Sequence, residues 1–270
     1  MNNFQNKQLY IGSLQNERVK QWASLLDKKY RDRTNQFIIE GVHLIQEALK
    51  AGAEVKQIVF DEERGLPHEL KEESYASTPG IEWVSTSKAI MAKCTGTDTP
   101  PPVFAVLNKL EISEEKLFGE DSLIIVLDGV RDPGNLGTII RSADAAGADA
   151  VVLGKGCVDL YNPKSVRSTM GSLFHLPIVE GDLSELLPKA KAHGATLVGT
   201  SLQAEHSCYS YNWKRATWLL MGNESEGLSQ HVREQLDEAV IIPMAGRAES
   251  LNVAMASTIL LFEALRQRGV

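Results

Sequence analysis

The chain has 270 residues, 43% of them hydrophobic and 23% charged, enough for one large or two ordinary folded units. A formal net charge of −7 disfavours nonspecific wrapping of nucleic acid but leaves room for a local basic face. No stretch reaches the roughly eighteen unbroken apolar residues of a membrane span, and the first residues lack the apolar core of a secretory leader. The expectation is a globular, cytoplasmic protein.

In chain order, Val19, Trp22, Leu25 and Leu26 recur at helical spacing and predict a helix from Glu17 to about Tyr30. Between and after them stand Lys20, Lys28, Lys29, Arg31 and Arg33. With Lys7 and Arg18 they give residues 1–40 a net charge of +3, read as either a solvated face or a contact for a polyanion. FIIEG (37–41) is short and apolar, and residues 42–52 have helical periodicity ending at Gly52. Strands are expected at 55–60, 81–85 and 103–108, with an acidic cluster (Asp61, Glu62, Glu63, Glu69, Glu72, Glu73) after the first and TGTDTPPP (95–102) forcing turns before the last. That is a small α/β unit over 1–108, followed by a polar, charged linker at 109–121.

From 122 onwards strands and helices alternate. Strands are expected at 123–128, 150–154, 176–180, 218–222 and 239–244, and helices at 136–147, 164–174, 183–194 and 250–268. ATLVGTSL (195–202) follows the third of these helices. Short apolar strands interleaved with helices predict a mostly parallel sheet covered on both faces.

Three stretches carry polar residues at strand ends. DPGNLGTIIRS (132–142) resembles a glycine phosphate loop, yet it has neither the G-x-G-x-x-G spacing of a dinucleotide site nor the lysine of a P-loop. It offers Asn135 and Arg141 instead, six residues apart and capable of reaching one cavity from a turn and a helix. WLLMGNESEGLS (218–229) breaks from an apolar run into Gly222, Asn223 and Glu224. VIIPMAGRAESLNVAMAS (240–257) crosses a glycine loop and enters a helix near Ser250, so the backbone at Ile242 and Met244, with the turn at Leu251 and Asn252, could grip an adenine and ribose. Cys94, Cys157 and Cys208 and the six histidines show no metal-ligand spacing, and no metal is expected.

Taken together and in order, residues 128–149, 219–229 and 241–266 resemble the three motifs of the SpoU class of RNA ribose 2′-O-methyltransferases, in the SPOUT superfamily. FIIEGVHLIQEAL (37–49) looks like the start of the L30e-like RNA-binding domain often attached to them. The resemblance implies an α/β fold: a knotted SPOUT domain with a trefoil knot and mostly parallel sheet over 122–270, and a small L30e-like substrate-binding domain before it. It implies S-adenosylmethionine as cofactor, RNA (ribosomal RNA preferred) as substrate, and a homodimer formed through the C-terminal domain.

By the same resemblance Asn135, Arg141, Glu224, Ser250 and Asn252 form the catalytic polar set. Thr200, Ser201, Gly222, Asn223, Ile242, Met244, Leu251 and Asn252 fall where the cofactor is held. RNA contacts are expected from Lys20, Lys28, Lys29, Arg31, Arg33 and Arg141. A guanidinium is a poor proton acceptor near neutrality, so Arg141 is expected to bind phosphate and stabilise oxyanion charge, with Glu224 and Asn135 orienting it and the target nucleotide. Other readings stay open: a noncatalytic RNA-binding or ribosome-assembly protein, a transfer RNA 2′-O-methyltransferase, or a base methyltransferase.

Overall fold

The computed structural model describes residues 9–71 and 80–269. Lys7, and Glu72 and Glu73 of the acidic cluster, lie outside the described residues. The chain divides into two compact units, one comprising residues up to 111 together with 161–174, the other comprising 112–160 and 175 onwards.

The first unit runs β1 (Leu9–Ile11), α1 (Glu17–Ser24), α2 (Lys28–Thr34), β2 (Gln36–Glu40), α3 (Val42–Lys50), β3 (Val55–Asp61), β4 (Glu82–Thr86), α4 (Lys88–Thr95) and β5 (Val103–Asn108). Its sheet has the order β1-β4-β3-β5-β2, parallel at the β1, β4 and β3 end and antiparallel through β5 and β2. Val19, Trp22 and Leu25 pack on one face of this sheet with Ile90, Met91 and Cys94 of α4. Periodicity missed β1, which is only three residues long. It also missed α4, whose buried positions stand beside the turn-rich 95–102 stretch.

Two expectations for the basic segment change. The single helix over 17–30 is broken near Leu25, because Asp27 turns out of the helix and caps a new one, its carboxylate accepting from the Lys29 amide at 2.9 Å. The second correction concerns Arg31, expected on the RNA face. Its side chain is instead buried and donates to the Leu25 carbonyl at 2.7 Å, where it ties the two helices together. Of the others, Lys20 pairs with Glu17 and Lys28 with Asp32. Asp32 also takes Lys109, and the two lysines, Lys109 foremost, hold its carboxyl down to about 2. Lys29 stays exposed, and the Arg33 guanidinium lies 4.8 Å from the centre of the Tyr30 ring.

The second unit contains β6 (Leu123–Asp128), α5 (Pro133–Ala145) and β7 (Ala150–Leu153). After α6 (Pro163–Thr169), which belongs to the first unit, come β8 (Ile178–Glu180), α7 (Leu183–Ala192), β9 (Thr196–Thr200), β10 (His206–Ser207), β11 (Thr217–Gly222), α8 (Gln230–Arg233), β12 (Glu238–Ile241) and α9 (Val253–Arg268). The seven strands have the order β10-β12-β9-β11-β6-β7-β8, and every neighbouring pair is parallel. The expected parallel sheet is therefore present. From β6 the chain builds outwards through β7 to β8, then returns to the other side of β6 through β9, β11 and β12. The order reverses beside β6, and such a reversal leaves a crevice at the carboxyl ends of the strands.

The expected helix over 164–174 is shorter than its pattern suggests. It stops at Met170 in the left-handed region (φ 52°), and Gly171 follows at φ 102°. Within the first unit, α6 packs on β2. Arg167 donates to the buried Glu40 carboxylate at 2.7 Å, and the rings of Phe37 and Tyr161 lie 4.5 Å apart. Burial pushes the Glu40 carboxyl above its usual range despite the pull of Arg167.

Candidate active site at the strand ends

The stretch 132–142 is helix rather than glycine loop. Pro133 occupies the first helical position, where its missing N–H is no loss, and Asp132 caps the helix by accepting from the Asn135 amide at 2.8 Å. Gly134, Asn135 and Gly137 thus lie in the first turns of α5. The D-P-x-N signature for this start is present in the sequence, beneath its likeness to a phosphate loop.

Glu224 organises what surrounds that helix start. One oxygen of its carboxylate accepts from Asn135 Nδ2 at 2.9 Å and from the Asp132 amide at 3.3 Å, and the other accepts from the Arg131 amide at 3.3 Å. Asn135 Oδ1 in turn accepts from Asn252 Nδ2 at 3.0 Å, while Asn252 Oδ1 caps α9 through the Ala254 and Met255 amides. A continuous chain of hydrogen bonds therefore joins the loop after β11 to the starts of α5 and α9. Those helices pack together, with Ser142 and Thr258 hydroxyls 2.7 Å apart. Partial burial works against the charge on Glu224, but the Asn135 amide and the backbone N–H groups outweigh it and hold the carboxyl below its usual range.

The loop carrying Glu224 is tightly made. Asn223 and Gly227 exchange backbone hydrogen bonds at 2.9 and 3.0 Å, and Asn223 Nδ2 donates to the Gly129 carbonyl at 2.7 Å. Asn223 Oδ1 accepts from the amides of Ser225 and Glu226. Its side chain thus holds the loop in shape. Asp128, which no sequence motif singled out, accepts from the Ser229 amide at 2.7 Å and anchors the loop's far end to β6. Gly222 is required by space, since a Cβ there would come within 2.1 Å of the Gly227 carbonyl carbon.

Behind this loop lies a cavity of about 660 Å³, lined by residues 200–202, 221–228, 240–242, 244, 250–253 and 256. It opens at the carboxyl ends of β9, β11 and β12. Thr200, Ser201, Gly222, Asn223, Ile242, Met244, Leu251 and Asn252 all line it, as do Glu224 and Ser250. Asn135 stands outside the lining but bonds to two of its members. Arg141 is the exception. Six residues along a helix of 3.6 residues per turn place it about 120° around α5 from Asn135. There it is exposed, with no hydrogen-bond or ion-pair partner among the described residues, and it is absent from the cavity wall. The expectation that Asn135 and Arg141 reach one cavity within this chain is corrected accordingly. Several lining residues, among them Leu202, Met221, Leu228 and Val240, carried no polar signal to find them by.

A parallel sheet whose switch point opens into a cavity of this size, bordered by a carboxylate bonded to one helix start and linked through Asn135 to a second, defines an α/β ligand-binding domain of the nucleotide-cofactor kind. The chain belongs to the SpoU rRNA methylase family, whose pattern matches residues 122–262, and residues 16–105 match the MRM3-like substrate binding domain. It is 40% identical over 252 residues to the 23S rRNA (guanosine(2553)-2′-O)-methyltransferase RlmP of Bacillus subtilis, covering 93% of this chain and 97% of that one. The solved SpoU methyltransferase AviRb from Streptomyces viridochromogenes, in complex with the cofactor AdoMet, superposes with a TM-score of 0.86 at 36% identity, covering 94% of this chain and 98% of the other. An AdoMet-bound rRNA methyltransferase from Sinorhizobium meliloti gives 0.86 at 34% identity, covering 97% and 98%.

Proposed function

We propose that the chain transfers the methyl group of S-adenosylmethionine to a ribose 2′-hydroxyl of ribosomal RNA, with 23S rRNA the substrate. The observation that carries this reading is the hydrogen-bonded chain Glu224–Asn135–Asn252 at the edge of the switch-point cavity. The cavity suits such a donor. Met221, Val240, Ile241 and Leu251 supply apolar walls for an adenine, and Gly222, with no side chain, lets the end of β11 pack directly against the Gly227–Leu228 backbone that lines the same cavity.

When bound, the donor supplies a methyl group made electrophilic by its sulfonium. The chain's own groups do the rest. Thr200, Ser201, Gly222, Ile242, Met244 and Leu251 would line the donor, Asn223 would shape the wall through its loop, and Ser250 with Asn252 would border the approach to it. Glu224, committed to three donors and held below the usual carboxylate range, is a weak base and serves to orient. Arg141, a guanidinium with donors and no acceptor, grips the phosphate beside the target ribose and stabilises charge developing on the 2′-oxygen while the proton passes to water.

Because Arg141 lies outside the chain's own cavity, this reading assigns its action to a site completed by a second copy. Homodimerisation through the second unit accords with α9, where Met255 and Phe262, seven residues apart and therefore on one face, are both exposed. The trefoil knot and a cytoplasmic setting belong to the same reading. The first unit would carry RNA on Lys20, Lys28, Lys29 and Arg33.

The test is transfer of labelled methyl to unmodified 23S rRNA transcript, followed by nuclease digestion. The expected product is a single 2′-O-methylated nucleotide. A methylated base, or binding of rRNA without transfer, would replace this reading with one of its alternatives.

A further inference from the structure

The first unit holds a second cleft, of about 340 Å³, and all the residues lining it belong to that unit. Ala51, Ala53 and Leu110 give it an apolar wall, and the half-buried Phe174 adds an aromatic one. Two polar side chains in the lining, Asn35 and Glu111, are exposed and make no hydrogen bond or ion pair among the described residues.

Asn35 is held there by its backbone. It sits in the left-handed region at φ 54°, its N–H bonds to the Arg31 carbonyl, and its own carbonyl accepts from the Lys109 amide at 2.9 Å. The side-chain amide is thus displayed without any internal bond to satisfy. The electrostatics exclude a phosphate. The one cation among the described lining residues, Lys109, is bound to Asp32 at 2.6 Å, while two carboxylates, Glu54 and Glu111, line the same space. Glu54 is already occupied by Lys56 and by Asn108 Nδ2, leaving Glu111 as the open acceptor.

An aromatic wall, an open amide and an open carboxylate match a flat, uncharged ring that carries N–H groups. From this geometry we infer that the cleft seats one unpaired nucleobase bearing an exocyclic amino group, stacked against Phe174 and read by Asn35 and Glu111. This rests on the proposed RNA substrate and adds a sequence-reading site on a unit other than the one that carries the methyl-transfer cavity. Phosphate contacts position an RNA, whereas base contacts of this kind select it.

The test uses the full chain with 23S rRNA transcript over a range of salt concentrations. Asn35→Gly keeps the left-handed backbone and removes the amide, Glu111→Gln removes the charge, and Phe174→Leu removes the ring but keeps an apolar wall. Asn35→Gly with Glu111→Gln is expected to weaken rRNA binding roughly tenfold, and Phe174→Leu alone by a similar factor. Donor affinity should stay within about twofold, and the slope of log K against log salt should not change, because the RNA phosphates are gripped as before. Unchanged rRNA affinity in both variants overturns the inference. So does tighter binding by Glu111→Gln, which would mark a phosphate site, or GMP and AMP binding in the cleft without competing with rRNA. Failure of the unaltered chain to bind or methylate rRNA would show separately that the functional reading itself had failed, and this inference with it.

Discussion

Replacing Gly222 by alanine tests whether the wall of the cavity is as tightly built as its hydrogen bonds indicate. The added Cβ would stand 2.1 Å from the Gly227 carbonyl carbon, 2.2 Å from the Leu228 nitrogen and 2.5 Å from the Gly227 oxygen. All three are backbone atoms, so no side-chain rotation relieves the clash and the loop must retreat by close to an ångström. That loop is pinned at 2.7 Å by Asn223 to Gly129 and at 2.7 Å by Ser229 to Asp128, so retreat breaks or stretches both bonds. Overpacking of this kind costs about 1–3 kcal/mol, and each kcal/mol lowers the melting temperature of a domain this size by roughly 2–4 °C. Glu224 moves with the loop, so donor affinity should fall by about tenfold or more, equivalent to roughly 1.4 kcal/mol. Thermal denaturation and titration calorimetry with S-adenosylmethionine measure the two effects. Gly246→Ala, where a Cβ meets nothing within 4 Å, is the control and should be neutral. A Gly222→Ala protein that matches wild type in both measurements would refute the argument.

Three further outcomes follow from the same geometry. The Glu224 carboxyl is held below its usual range, so its contribution to stability is complete above the unfolded value of about 4.3 and is lost as pH falls through the lower folded value. Acid unfolding of wild type should therefore be steeper below about pH 4.5 than that of Glu224→Gln, and identical profiles would count against the assignment. Arg141→Ala should leave melting temperature and donor affinity unchanged while single-turnover methyl transfer drops about 100-fold or more; Arg141→Lys should recover part of the loss, and full turnover in the alanine variant would remove Arg141 from the mechanism. Arg31 and its neighbours should separate cleanly. Arg31→Ala strands the buried Leu25 carbonyl and should cost about 2–3 kcal/mol in denaturant unfolding, whereas Lys29→Ala with Arg33→Ala should leave stability within about 0.5 kcal/mol and flatten the salt dependence of rRNA binding by about one unit of slope for each phosphate no longer gripped.

The parallel sheet was legible because its strands are buried on both faces and read as unbroken apolar runs, such as LIIVLD (123–128). The cavity wall was legible for a related reason. Polar and glycine residues stood at the ends of those runs, at 200–201 and 222–224, and immediately before the last helix, at 250–252, and these segments converge. What did not show was anything set by the third dimension. Arg31 looks like its charged neighbours in sequence, and only the packing of α2 decides that it points inward. Arg141 follows Asn135 by six residues, which a loop would have permitted to converge and a helix does not. Asp128 acts through a single hydrogen bond to a residue 101 positions away, which no local pattern encodes.

The return of residues 161–174 to the first unit has a consequence for how this protein is made. A ribosome that has finished Glu111 has not yet supplied the segment that places Arg167 against Glu40 and Tyr161 against Phe37. At about 5–20 residues per second, that segment is complete roughly 3–13 s later, after the first two strands of the other unit have been synthesised. Until then the β2 face is uncovered and its carboxylate unpaired. The order of synthesis is thus not the order of completion, and a fragment cut after Glu111 would lack part of the unit it was meant to isolate.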